Sequence, residues 1–88
     1  MKVIFSTSFK RSLKRHIKRD SNLEVTFREK LAMFQNDPFD PSLRTHNLKG
    51  NLAGSSAFRL TYALRVVFKL TDEGHALFSD IGTHDEVY

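Results

Sequence analysis

Apolar positions in the first half of the chain recur at helical spacing. Phe9, Leu13 and Ile17 fall at i, i+4 and i+8, and Lys10, Arg11, Lys14, Arg15, Lys18 and Arg19 occupy the other faces. This predicts a helix over about residues 8–19, with N-caps supplied by Ser6-Thr7-Ser8. Residues 2–5 ahead of it read as a short strand, apolar and β-branched. Ser21-Asn22-Leu23-Glu24 has the S-x-x-E form of a capping box and restarts a helix whose stripe is Leu23, Phe27, Leu31 and Phe34. Asn36-Asp37-Pro38 ends it, because Pro38 lacks an N–H and disfavours a helical residue before it. Two amphipathic helices with a short break between them make an αα-hairpin.

Beyond a loop at residues 37–42 the period changes to two. Phe58, Leu60 and Tyr62 alternate with Ala57, Arg59 and Thr61; Leu64, Val66, Phe68 and Leu70 alternate with Arg65, Val67 and Lys69. About two residues separate these runs, which predicts an antiparallel hairpin. Thr71-Asp72-Glu73-Gly74 is a turn signal, and residues 76–82 return as another strand. Residues 43–48 read as a further, shorter strand ending near Gly50. The order β-α-α-β-β-β(-β) predicts an α+β fold, in which the two helices pack on a twisted antiparallel sheet of four to five strands. With Phe58, Leu60, Tyr62, Leu64, Val66 and Phe68 facing the helices, Arg59, Arg65 and Lys69 face away, and Arg44, His46 and Lys49 fall nearby. Like charges on adjacent strands destabilise a sheet, so a face that tolerates them suits phosphate.

Composition narrows the class. A chain of 88 residues, 40% of them apolar, makes one domain over residues 1–88 with one compact core, and excludes a disordered chain. No run nears the roughly 18 apolar residues of a membrane helix, and residues 3–5 are too short for a signal-peptide core, so the expected location is the cytoplasm, away from membranes. The absence of cysteine excludes disulfides and thiolate chemistry and fits that compartment. The net charge of +4 hides an asymmetry. Residues 1–69 hold all fourteen Lys/Arg against five acids, whereas residues 70–88 hold five acids and no Lys/Arg. The densest run lies on the first predicted helix, where a solvated face and a polyanion site explain it about equally.

Candidate chemistry gathers at the C-terminal Ile81-Gly82-Thr83-His84-Asp85-Glu86-Val87-Tyr88. His84 carries the one side chain whose unperturbed pKa lies near neutrality, and phosphodiester cleavage needs a proton relay together with a cationic clamp. The histidines at 16, 46, 75 and 84 show no paired metal spacing, and no phosphate-binding G-x-x-x-x-G-K-[ST] loop is present.

Three segments together resemble the RelE/ParE superfamily of bacterial toxins. They are Leu43-Arg44-Thr45-His46-Asn47-Leu48-Lys49-Gly50-Asn51-Leu52-Ala53-Gly54, then Phe58-Arg59-Leu60 with Leu64-Arg65-Val66-Val67-Phe68, and finally residues 81–88. Within the superfamily they are most similar to RelE, YoeB and YafQ-type mRNA interferases, and the likeness spans nearly the whole chain. The resemblance implies a toxin of a type II toxin-antitoxin system that cleaves translated mRNA on the ribosome, without metal or other cofactor, by 2′-OH attack. It also implies a cognate antitoxin that neutralises it. Carried over by position, His84 and His46 match histidines of the family, Arg65 the arginine at the reacting phosphate, and Arg59 a second strand cation. Tyr88 falls near the family's terminal aromatic, and Asp85 is placed to orient His84. Lys49, Arg44 and Lys69 join as phosphate-binding candidates, and Lys10, Arg11, Lys14, Arg15 and Lys18 as contacts to ribosomal RNA. The chain departs from YafQ-like members at Tyr62-Ala63-Leu64, where they carry an acid, and from YoeB in having no acid over residues 47–49. Two alternatives stay open: a ParE-like gyrase inhibitor without nuclease chemistry, and a degenerate member that only binds antitoxin.

Overall fold

The alternating segments of the second half build the sheet on which both helices rest. The computed structural model describes residues 1–87. The elements are β1 (Val3–Phe5), α1 (Thr7–Arg19), α2 (Asn22–Asn36), β2 (His46–Asn47), β3 (Ser56–Arg59), β4 (Leu64–Leu70), β5 (Ala76–Thr83) and α3 (His84–Val87). Single 3-10 turns occur at Pro41–Leu43 and Gly50–Leu52. The strands lie in the order β1-β5-β4-β3-β2. β2 through β5 pair antiparallel, as expected, but β1 runs parallel to β5, with Val3 opposite Ala76 and Phe5 opposite Phe78. The fold is α+β with a mixed sheet. Side-chain alternation reports which face a residue takes and carries no strand direction, so the parallel edge left no mark in the pattern.

Ser6 starts α1 and fastens it to the sheet. Its Oγ accepts from the Phe9 N–H at 3.0 Å and donates to the Ser79 carbonyl at 3.0 Å. The capping box expected at Ser21 does not form. Ser21 is already helical and makes no side-chain cap bond. Asp20 Oδ1 instead accepts from the Asn22 N–H at 3.1 Å, while Glu24 turns forward to Arg28 at 2.9 Å.

Phenylalanines dominate the core. Phe78, on β5, lies against Phe5, Phe9, Phe27, Phe34, Phe58 and Phe68, with ring centroids between 5.0 Å (Phe34) and 6.5 Å (Phe27). Edge-to-face geometry prevails, which suits the ring quadrupoles. Leu23, Leu43, Leu60, Val66, Ala76 and Ile81 close the cluster. β5 reaches it through a bulge: Val67 pairs with Asp80 and Phe68 with Phe78, so Ser79 is the extra residue and both Phe78 and Ile81 face inward.

The strands end earlier than their pattern predicts. Of residues 43–48 only His46–Asn47 is strand, because Leu43 belongs to a 3-10 turn capped by Asp40. β3 stops at Arg59; the N–H groups of Leu60 and Thr61 both bond to the Leu64 carbonyl and close a turn. Leu60 stays buried, but Tyr62 rides out on that turn with 84% exposure instead of facing the helices. The outer face is not uniformly open either. Leu48, Ala57, Val67 and Val87, with Leu52, form a second small core over its middle.

Phe78→Ala should cost about 3–5 kcal/mol in urea unfolding, because the surrounding rings cannot close the space. Phe39→Ala, at an exposed loop position, should stay within about 0.5 kcal/mol.

Candidate functional site

The end of β5 and the helical turn that follows it are built from four consecutive residues. Thr83-His84-Asp85-Glu86 forms the capping box that Ser21 does not: the Thr83 N–H donates to Glu86 Oε1 at 2.8 Å, and the Glu86 N–H donates to Thr83 Oγ1 at 3.2 Å. The Thr83 N–H and then the Thr83 hydroxyl hold the Glu86 carboxyl below its ordinary pKa, with weaker help from His16 and Arg15. Val87 closes the turn by inserting into the outer core. Gly82 makes room for it: a Cβ there would stand 2.9 Å from Val87 Cγ2 and 3.5 Å from Glu86 Cβ. α3 is therefore fixed at both ends, with His84 and Asp85 at its first positions.

His84 and Asp85 line a cleft of about 550 Å³ with Arg44, Arg59, Tyr62 and Arg65. Arg59 and Arg65 are direct cross-strand partners, a like-charge pair that costs stability by itself. Among the described residues their guanidinium groups are held by carbonyls and a ring, with no ion pair to an acid. Arg65 Nη1 donates to the carbonyls of Thr61, Tyr62 and Leu64 at 3.0, 3.1 and 3.1 Å, and Arg59 lies over the Tyr62 ring at 5.2 Å. Arg44 enters the cleft from a left-handed backbone (φ 51°) that ends the preceding 3-10 turn, a conformation uncommon for a residue with a Cβ. His84 Nδ1 stands 3.7 Å from Asp85 Oδ1, a separation longer than a hydrogen bond and open to solvent.

The other predicted residues lie elsewhere. His46 and Lys49 line a neighbouring depression of about 240 Å³ on the side of Val87. His46 Nδ1 sits 3.0 Å from the Arg44 carbonyl; because a carbonyl only accepts, this contact puts a proton on Nδ1. Lys69 is on the face of Arg65 but beyond Val67, toward Gly54. Lys10 and Lys14 rim an apolar groove between α1 and α2, and Arg11 and Lys18 are exposed on α1. Arg15 Nη2 approaches Ser12 Oγ at 3.5 Å, and that hydroxyl donates to Asp80 Oδ1 at 2.8 Å. None of these α1 cations lines the cleft. Tyr88 lies outside the described residues. Tyr62, read as a core residue, lines the cleft instead, and no Gly, Pro, Asn or Asp in Thr61-Tyr62-Ala63 marks the turn that puts it there. On α1, burial first, then Arg15 and Arg19, lower the pKa of His16. Among the described residues no three His, Asp or Glu are placed to hold a metal ion, and no helix is long and apolar enough to cross a membrane.

A family profile described as "Bacterial toxin of type II toxin-antitoxin system, YafQ" matches residues 1–88. The chain belongs to the YafQ toxin family. No curated protein matches by sequence. Among solved structures, this YafQ-family toxin is similar to the YoeB/ParE toxin from Agrobacterium tumefaciens, with a TM-score of 0.79 at 19% identity over 96% of this chain and 99% of that one. YafQ from E. coli strain BL21(DE3) gives 0.76 at 22% identity, over 96% and 93%. YafQ in the E. coli DinJ-YafQ complex gives 0.70 at 23%, over 98% and 96%. At these identities the structures show a shared fold.

Two outcomes test how α3 is held. The depressed Glu86 pKa favours the ionised capping box, so its contribution is complete above the ordinary glutamate range and is lost as pH falls through the lower folded value. Amide exchange over residues 83–87, taken relative to the intrinsic rate of an unprotected amide at the same pH, should therefore accelerate in acid. Gly82→Ala should accelerate it already at neutral pH, because the new methyl displaces Val87.

Proposed function

We propose that this YafQ-family toxin is a ribosome-dependent endoribonuclease that cuts translated mRNA by metal-independent attack of a 2′-OH on the adjacent phosphodiester. The observation that carries the reading is the meeting of His84 with Arg44, Arg59 and Arg65 in one cleft. In that reaction the 2′ oxygen bonds to phosphorus and loses its proton, the bond to the 5′ oxygen breaks, and that oxygen gains a proton. Charge builds on the non-bridging oxygens in between. Arg65, anchored through Nη1, offers its remaining N–H donors to those oxygens, with Arg59 and Arg44 beside it. His84 moves one of the two protons; His46, next to the cleft, is the candidate for the other.

Asp85 and Tyr88 assist His84, and Lys49 and Lys69 extend the phosphate track. The cations of α1 (Lys10, Arg11, Lys14, Arg15 and Lys18) dock on ribosomal RNA, an electrostatic contact away from the chemistry. E. coli YafQ is found in complex with DinJ, which supports neutralisation of this toxin by a cognate antitoxin. Such chemistry on translated mRNA places the protein in the cytoplasm.

The test is induced synthesis in a cell-free translation system, with mRNA ends mapped by primer extension. Wild type should produce cuts at fixed codon positions, and His84→Ala and Arg65→Ala should each reduce them by about 100-fold or more. Intact mRNA with active wild-type protein would sink the nuclease reading and direct attention to DNA gyrase.

A further inference from the structure

Among the described residues, Tyr62 is the most exposed of the large apolar side chains, at 84%, and the only one of those exposed residues that lines the cleft. A lone exposed aromatic is ordinary at a protein surface; what singles out Tyr62 is that its ring stands in the cleft, beside the guanidinium groups that line it. The turn that carries it is rigidly held. The Leu60 and Thr61 N–H groups bond to the Leu64 carbonyl at 3.0 and 3.2 Å, and the Leu64 N–H returns to Thr61 Oγ1 at 3.1 Å. Arg65 binds the Thr61 and Tyr62 carbonyls from within the cleft, and Arg59 sits over the ring. The same two arginines thus fix the ring and present positive charge beside it.

We propose that Tyr62 is the stacking platform for a nucleobase adjacent to the phosphate held by Arg59 and Arg65. The inference rests on the reading of the cleft as an RNA site. A ring loses little conformational freedom on binding, and its π face accepts any base, so it sets the register of the strand without reading sequence. A base laid against Tyr62 fixes which phosphate meets the arginines and His84. Tyr62 is in this sense a positioning residue.

The test uses short single-stranded RNA with 2′-deoxyribose at every nucleotide along the cut site, so that it binds without being cut, and fluorescence anisotropy at low salt. Tyr62→Ala should weaken binding about tenfold, and Tyr62→Phe, which keeps the π face, should restore it. Repeating the titrations with one abasic nucleotide moved along the RNA should find a position at which wild type and Tyr62→Ala bind equally. Equal affinity of wild type and Tyr62→Ala for intact RNA overturns the proposal. So does a loss that persists wherever the abasic site is placed, which would mark Tyr62 as a contact to something other than a base. Arg65→Gln separates the two levels. If it weakens RNA binding while Tyr62→Ala does not, only the stacking proposal fails; if neither does, the RNA reading of the cleft fails with it.

Discussion

The ring of Phe78 stands where both helices and the strands of the sheet converge, and the remaining architecture depends on its being enclosed. α1 contributes Phe9, α2 contributes Phe27 and Phe34, and β1, β3 and β4 contribute Phe5, Phe58 and Phe68. A single buried aromatic thereby sets the mutual position of elements from nearly the whole chain. The bulge at Ser79 follows from the same demand. It lets β5 supply Phe78 and, three residues on, Ile81 to one core, after which Gly82 faces α3 on the other side. The position of His84 is thus referred, through one strand, to the aromatic core.

Electrostatics in the cleft work differently from the usual pairing of opposite charges. Arg59 and Arg65 oppose each other across β3 and β4, and what steadies them is a set of carbonyl oxygens and a π face. Neither neutralises the charge. Among the described residues the cleft therefore keeps three guanidinium groups against the single carboxylate of Asp85, an excess of positive charge held in a fixed arrangement.

The parts of the fold that were legible in the sequence were those governed by periodicity. The Phe9-Leu13-Ile17 and Leu23-Phe27-Leu31-Phe34 stripes located both helices, and alternation put Arg59 and Arg65 on one face. Direction and termination were less visible. Nothing in Val3–Phe5 encodes a parallel partner, and Thr61-Tyr62-Ala63 has no turn-forming residue, so the strand pattern ran on through Tyr62. The two S/T-x-x-E segments show why a motif alone is insufficient. Ser21 is already in helical backbone and the Asp20 carboxylate just before it accepts from the Asn22 N–H, whereas Thr83 follows Gly82, which has no side chain to compete, and ends a strand. The companionship of Arg44 with His84 arises only from the three-dimensional path and had no local trace.

The pairing of β1 with β5 has a consequence for synthesis. Ser6 and Ser79, joined by a hydrogen bond, are 73 positions apart, and the cleft unites Arg44 with His84 across most of the second half of the chain. A chain emerging from its amino end holds β1 and the helices without the strand that covers them. Arg44, Arg59 and Arg65 can all be outside the ribosome before β5 closes the sheet and brings the imidazole beside them. Assembly order by itself keeps the cleft incomplete until β5 and His84 have emerged and paired with β4.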